Sequence, residues 1–213
     1  MHMDPQRPVA GLAADPRIEP VVKELESLYA EMDRQYHQAA AGYGFSCTGC
    51  ADNCCLTRFY HHTFLEYIFL RKGFEQLSGP MRAEIKKSAV QYADALRRAQ
   101  SIGADAPFRM MCPLNRQGWC VLYGFRPMIC RLHGIPHELE PPGGQRMVFY
   151  HGCAAFDSQC GHLPYQSFDR TPFYLRMSGL EQDLKQKLGI SEKSKKTVAD
   201  MLIHDKVPIH AIS

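Results

Sequence analysis

The stretch from Cys47 to Cys55 reads Cys-Thr-Gly-Cys-Ala-Asp-Asn-Cys-Cys and constrains this chain more than any other. It places four of the nine cysteines at C-x2-C-x3-C-C, and the rest follow at Cys112, Cys120, Cys130, Cys153 and Cys160. Thiolates bind soft or borderline metals, and spacings this short let several sulfurs converge on one centre. An odd cysteine count argues against a disulfide framework. So does the polar N-terminus, with Asp4 and Arg7 where a secretory signal needs an apolar run. The expectation is a cytoplasmic protein with reduced thiols. No stretch approaches the roughly 18 uninterrupted apolar residues of a membrane helix. The net charge of +3 is too small to call for nucleic acid or a membrane as partner.

Hydrophobic periodicity organises the chain around this stretch. Residues 1–16 hold three prolines and no periodic pattern, so they read as a flexible lead-in. Val21, Leu25, Leu28, Met32 and Tyr36 recur at helical spacing from Pro20 until Gly42 and Gly44 stop them. A second helix is expected from about Thr63 to Gly73. A third begins after Ser78, with Pro80 in its first turn, and carries Met81, Ile85, Ala89, Tyr92, Leu96 and Ala99 on one stripe. Two more are expected over about Pro172 to Leu188 and Lys195 to Ile203. Residues 107–165 lack long periodic runs. Val121–Tyr123 and Met147–Tyr150 suggest one small hairpin there, with a turn at Pro141-Pro142-Gly143-Gly144. Irregular chain of this length needs something to order it, and a metal supplies that. The expected fold is mainly α with a small β-hairpin: a single domain over 17–205 containing a loop-rich, cysteine-ligated metal lobe, with 206–213 as a tail.

One tetrahedral zinc or one four-iron (4Fe-4S) cluster uses four thiolates, so nine cysteines imply two sites or a multinuclear centre that shares sulfurs. The neighbours Cys54 and Cys55 favour sharing, because adjacent side chains diverge. Thiolate sites carry negative charge and want donors nearby. Arg126 and Arg131, which bracket Cys130, are the candidate outer-layer cations.

The Cys47–Cys55 block, the step Cys112-Pro113-Leu114 and the run Cys120-x2-Tyr123-x2-Arg126-Pro127-x2-Cys130-Arg131 occur in that order. Together they resemble the YkgJ-type CxxCxxCC proteins, described as a zinc- or iron-chelating domain and also labelled iron–sulfur-cluster-containing. The resemblance covers about residues 43–155. It implies metal ligation by Cys47, Cys50, Cys54, Cys55, Cys112, Cys120 and Cys130, with Cys153 as the eighth. One departure is that Ala51, Asp52 and Asn53 put three residues where the family pattern has two. The family implies no particular reaction.

Other residues are weighed against plainer roles. Cys160 lies outside the matched blocks and reads as a free thiol. His133 and His151 stand near Cys130 and Cys153 in sequence, as candidate ligands or hydrogen-bond partners of ligands, while most histidines are surface or core residues. His61-His62 lies shortly beyond Cys55. Tyr43, Phe45, Phe59 and Tyr60 bracket the cluster as core or as a water shield. No phosphate-cradling glycine loop or hydrolase signature occurs. The leading expectation is therefore iron, as an iron–sulfur cluster with an electron-transfer or redox role. Alternatives are a structural zinc module for an unidentified protein partner, and metal chelation or delivery.

Overall fold

The computed structural model describes residues 6–47, 54–103, 106–141, 143–144 and 146–209. Its centre is the helix α2 (Phe64–Glu75), buried on nearly every face from Phe64 to Phe74. Glu66 and Arg71 are buried along with its apolar residues, so this helix lies inside the fold and not on its surface. It packs on α6 (Thr171–Leu188), α7 (Val198–Ile203) and the turn at 123–125, meets α1 (Glu19–Tyr43) through Tyr29 and Phe69, and meets α4 (Met128–Leu132) through Glu66. α3 (Gly79–Ile102) packs on α7, and the short α5 (Ala154–Cys160) follows Cys153. A single hydrophobic core runs through them. Among the described residues no helix is long and apolar enough to cross a membrane.

The helix ends follow from local chemistry. Thr63 caps α2 by accepting from the Glu66 N–H at 3.2 Å. The first two amides of α2, at Phe64 and Leu65, donate to the buried Glu181 carboxylate of α6 at 2.9 and 3.0 Å. Ser78 caps α3, and Thr197 with Asp200 forms a reciprocal capping box on α7. At the far end of α1, Gly44 takes φ 68°. Its N–H and that of Phe45 donate to Ala41 and Ala40, a left-handed stop that glycine adopts without steric cost. The stop turns the chain toward the cysteine stretch.

Among the described residues six short strands pair two by two: β1 (Gln6–Pro8) with β6 (Lys206–Pro208), β2 (Asn115–Arg116) with β3 (Trp119–Cys120), and β4 (His137–Leu139) with β5 (Val148–Tyr150), all antiparallel. The structure departs from the sequence expectation here. Residues 6–14 are not a frayed lead-in and 206–208 are not a loose tail. They pair with each other and bury Val9, Leu12 and Val207. Val121–Tyr123 is not a strand either. The expected Met147–Tyr150 piece pairs instead with 137–139, and a separate hairpin turns at Gln117-Gly118, both with positive φ as its two-residue loop requires.

Gly73 lets α2 and the turn at Tyr123–Phe125 touch, because a methyl at Gly73 would overlap the Phe125 ring. Gly73→Ala is expected to destabilise by about 1–3 kcal/mol through overpacking, read as a lower urea midpoint.

Candidate metal centre

Three segments bring the cysteines together. A single helical turn, Cys54–Leu56, carries the adjacent pair. The Cys112 N–H donates to the Cys55 carbonyl at 2.8 Å and ties the first block to the second. The β2–β3 hairpin then returns the chain so that Cys120 lies opposite Asn115, and α4 presents Cys130. Cys47, Cys54, Cys55, Cys112, Cys120 and Cys130 thus line one cavity of about 160 Å³. Cys50 lies outside the described residues. Cys153 is off this wall, with its N–H donated to Gly134 at 2.8 Å.

The electrostatics single out four of the six. Cys55, Cys112, Cys120 and Cys130 each lie within charge–charge reach of the other three. Burial pushes the thiols of Cys112 and Cys120 upward and that of Cys130 to about 12, and neighbouring thiolates add to it. Such a group of sulfurs does not ionise together without a cation among them. Cys54 and Cys55 hydrogen-bond each other. The Cys54 thiol holds Cys55 down to about 6, with smaller help from Asn115 and Arg126, and Cys54 itself is pushed up.

Donors already point at these sulfurs. The backbone N–H of Leu114 favours the ionised form of Cys112, and that of Leu122 does so for Cys120. Asn115 Oδ1 accepts from the Gly118 N–H at 3.1 Å, which aims the amide. Its Nδ2 is buried, has no oxygen or nitrogen partner among the described residues, and bears on the Cys55 sulfur. An orphaned buried donor costs stability unless a strong acceptor completes it; a metal-bound thiolate is such an acceptor. The donor set therefore fits a thiolate-ligated metal group. Removing this donor with Asn115→Ala is expected to weaken metal affinity by about 10–100-fold, measured by competition with a colorimetric chelator.

The two arginines, alike in sequence, diverge in space. Arg126 stacks 3.4 Å above the Tyr123 ring, donates to the Tyr123 carbonyl at 2.9 Å, and favours the ionised forms of Cys55, Cys120 and Cys130. Arg131 is consumed by the scaffold. Its guanidinium pairs with Asp33 at 2.6 Å, lies 4.0 Å over Tyr29, and donates to the carbonyls of Gly124 and Arg126. Its charge is thus largely answered by Asp33, although some reaches Cys120.

A second grouping surrounds Tyr36, whose hydroxyl donates to the His133 carbonyl at 2.9 Å. Burial raises its pKa first, and Cys47, Cys153 and Cys54 raise it further, so these thiols lie on its flank. His133 lines the cavity against Phe59, and burial lowers its pKa. His151 is exposed, edge-on to Phe149, and does not line the cavity. Tyr43 and Phe45 pack on Phe156 in the core, whereas Phe59 faces the cavity. Cys160 is buried, its thiol donating to the Tyr43 carbonyl at 3.4 Å.

Sequence reasoning missed three residues. Asn115 turns its buried amide toward the Cys55 sulfur, and His61 lines the cavity with a buried Nε2 that has no hydrogen-bond partner among the described residues. Arg170 is a buried cation facing Tyr36, Tyr165 and Tyr174, with no ion-pair carboxylate among the described residues. No local pattern marks any of them, since each gains its meaning only from tertiary neighbours.

Among the described residues, no three His, Cys, Asp or Glu side chains are gathered tightly enough to grip a single ion. No family model, curated protein or solved structure matches the chain.

Proposed function

We propose that the chain is a cysteine-ligated metal protein of the YkgJ type, holding an iron–sulfur cluster in a reducing, cytoplasmic setting and serving a redox or electron-transfer role. The observation that carries this reading is the set Cys55, Cys112, Cys120 and Cys130, each within electrostatic reach of the other three on the wall of one cavity. Four is the thiolate number of a four-iron cluster.

The choice of cluster over a single zinc rests on sulfur number. Six cysteines line the one cavity, whereas a single tetrahedral zinc takes four ligands. When bound, the cluster supplies a one-electron redox couple. The chain's own residues hold and tune that couple. Leu114 and Leu122 amides and Asn115 stabilise thiolate charge, and Arg126 adds a cation beside them. Phe59 and the buried Leu114 present apolar surface on the cavity wall. Cys47, Cys54 and Cys153 around Tyr36 supply further sulfur, either to an extended centre or to a second one.

Anaerobic isolation followed by iron, zinc and acid-labile sulfide determination, with a visible spectrum of the same sample, tests this. Iron with matching sulfide and a brown charge-transfer absorption is expected. Stoichiometric zinc without sulfide would replace the redox role with a structural one.

A further inference from the structure

The β4–β5 hairpin takes no part in the cavity wall, and its outer strand is open. Its inner strand is covered. The Glu138 N–H donates to the Phe168 carbonyl at 3.0 Å, and the Glu138 carbonyl accepts from the Arg170 N–H at 2.9 Å. In a strand the N–H and C=O of one residue point to the same side. Glu138 therefore turns both groups away from β5, and the bonds between β4 and β5 fall to the pairs His137–Tyr150 and Leu139–Val148. Phe149, opposite Glu138, turns its own N–H and C=O to the outer edge. Neither group has a partner there among the described residues.

The side chains along this edge are apolar and open as well. Met147, Val148, Phe149 and Tyr150 are 47, 38, 43 and 41 % exposed, and His151 is exposed beside them. Tyr150 stacks on His137 at 4.9 Å, and Phe149 packs edge-on against the half-open Tyr165 at the same distance. No Lys, Arg, Asp, Glu or Pro stands from 147 to 151, although such residues are what usually guard an edge. A charged partner finds no ion pair on this strip, whereas a second copy of the strip meets it without repulsion. A two-fold axis at Phe149 lets that residue and its counterpart exchange both backbone bonds. It also sets Val148 opposite Tyr150 and Met147 opposite His151. Six side chains of about 150–250 Å² each, some two-fifths open, offer roughly 500 Å² per copy. Two copies together bury about 1,000 Å², the lower bound of a specific interface. Interfaces of about 1,600 Å² run from micromolar to picomolar affinity, so this one belongs at the micromolar end.

We propose that β5 is a dimer edge, at which two copies of the chain pair antiparallel about a two-fold axis at Phe149 and join their β4–β5 hairpins into one sheet. The dimer does not depend on the metal reading, because no residue of the strip lines the cavity.

Sedimentation velocity tests this on the full chain, isolated anaerobically with reductant so that no intermolecular disulfide forms. Runs at about 2 and about 200 µM bracket the micromolar range. A species of twice the 24.2 kDa chain is expected at the higher concentration, giving way to monomer at the lower. Phe149→Lys sets two like charges directly opposite each other and should weaken association about tenfold or more. Phe149→Asp should do the same, and an equimolar mixture of the two proteins should regain the dimer through an opposite-charge pair. Leu175→Lys, at a 68 % exposed position on α6, should change nothing. The wild type also reports without any substitution: exchange of the Phe149 amide hydrogen should be slow at the higher concentration and fast at the lower. A wild type that stays monomeric at the higher concentration would overturn the proposal and leave the edge to a strand of a different protein. So would a dimer that persists in Phe149→Lys, a Lys–Asp mixture that stays monomeric, or a Phe149 amide whose exchange ignores concentration.

Discussion

Cys130→Ala is expected to strip the protein of metal, whereas Cys160→Ala is expected to leave metal content unchanged. Cys130 belongs to the group of four thiols and is half-buried where α4 meets the cavity. On the proposed metal reading its loss removes a ligand, so metal affinity should fall by more than the roughly 10–100-fold that an outer partner costs. Binding energy of this kind is also folding energy for a loop-rich segment. Limited proteolysis of Cys130→Ala should therefore open the region from Met110 to Leu139, which cleaves slowly in the wild type. Cys160 is more deeply buried, does not line the cavity, and donates to the Tyr43 carbonyl. Its replacement by alanine should cost packing alone. Equal metal loss from both variants would mean that the cysteines act through the fold and not as ligands.

Glu66→Ala is the substitution expected to cost the most stability outside the cysteines. Glu66 is buried in α2 and its two oxygens serve three donors on three segments. Oε1 accepts from the Met128 N–H at 2.8 Å and from the Tyr29 hydroxyl at 3.5 Å, and Oε2 accepts from the Thr63 hydroxyl at 2.7 Å. Alanine leaves all three donors buried and unserved. At about 1–3 kcal/mol for each such group, discounted for partial relaxation, the loss is about 3–5 kcal/mol. That is a large share of the total stability of an ordinary domain. Glu66→Gln retains an acceptor and should lose about 1–2 kcal/mol. Urea unfolding separates the two variants. Because Met128 begins α4, and Cys130 follows two residues later, Glu66→Ala should also weaken metal retention.

The sequence made the long helices legible because period, cap and stop agreed in each. α1, α2, α3 and α6 have apolar stripes or runs, a capping residue or proline at the start, and in three of them a glycine at or just past the end. The five-residue α4 and seven-residue α5 escaped notice, since segments that short lack a period and lie among glycines and prolines. The pairing of Gln6–Pro8 with Lys206–Pro208 was invisible for another reason: three-residue strands at opposite ends of the chain carry no local signal. At the site, spacing identified the cysteines as a group. It did not say which four would face one another, because that depends on the Cys55–Cys112 backbone bond and the Gln117-Gly118 turn. Nor did it separate Arg126 from Arg131. Asp33 on α1 holds the Arg131 guanidinium at 2.6 Å and reaches that of Arg126 only at 4.0 Å, which leaves Arg126 to stack on Tyr123 beside the thiols.

The most direct test of the central claim is native mass spectrometry of the anaerobically isolated protein beside its Cys130→Ala variant. The account predicts a wild-type mass above the 24.2 kDa chain by the increment of a complete iron–sulfur core, absent from the variant. A wild type at the bare chain mass, or one carrying the same increment in both proteins, would contradict it.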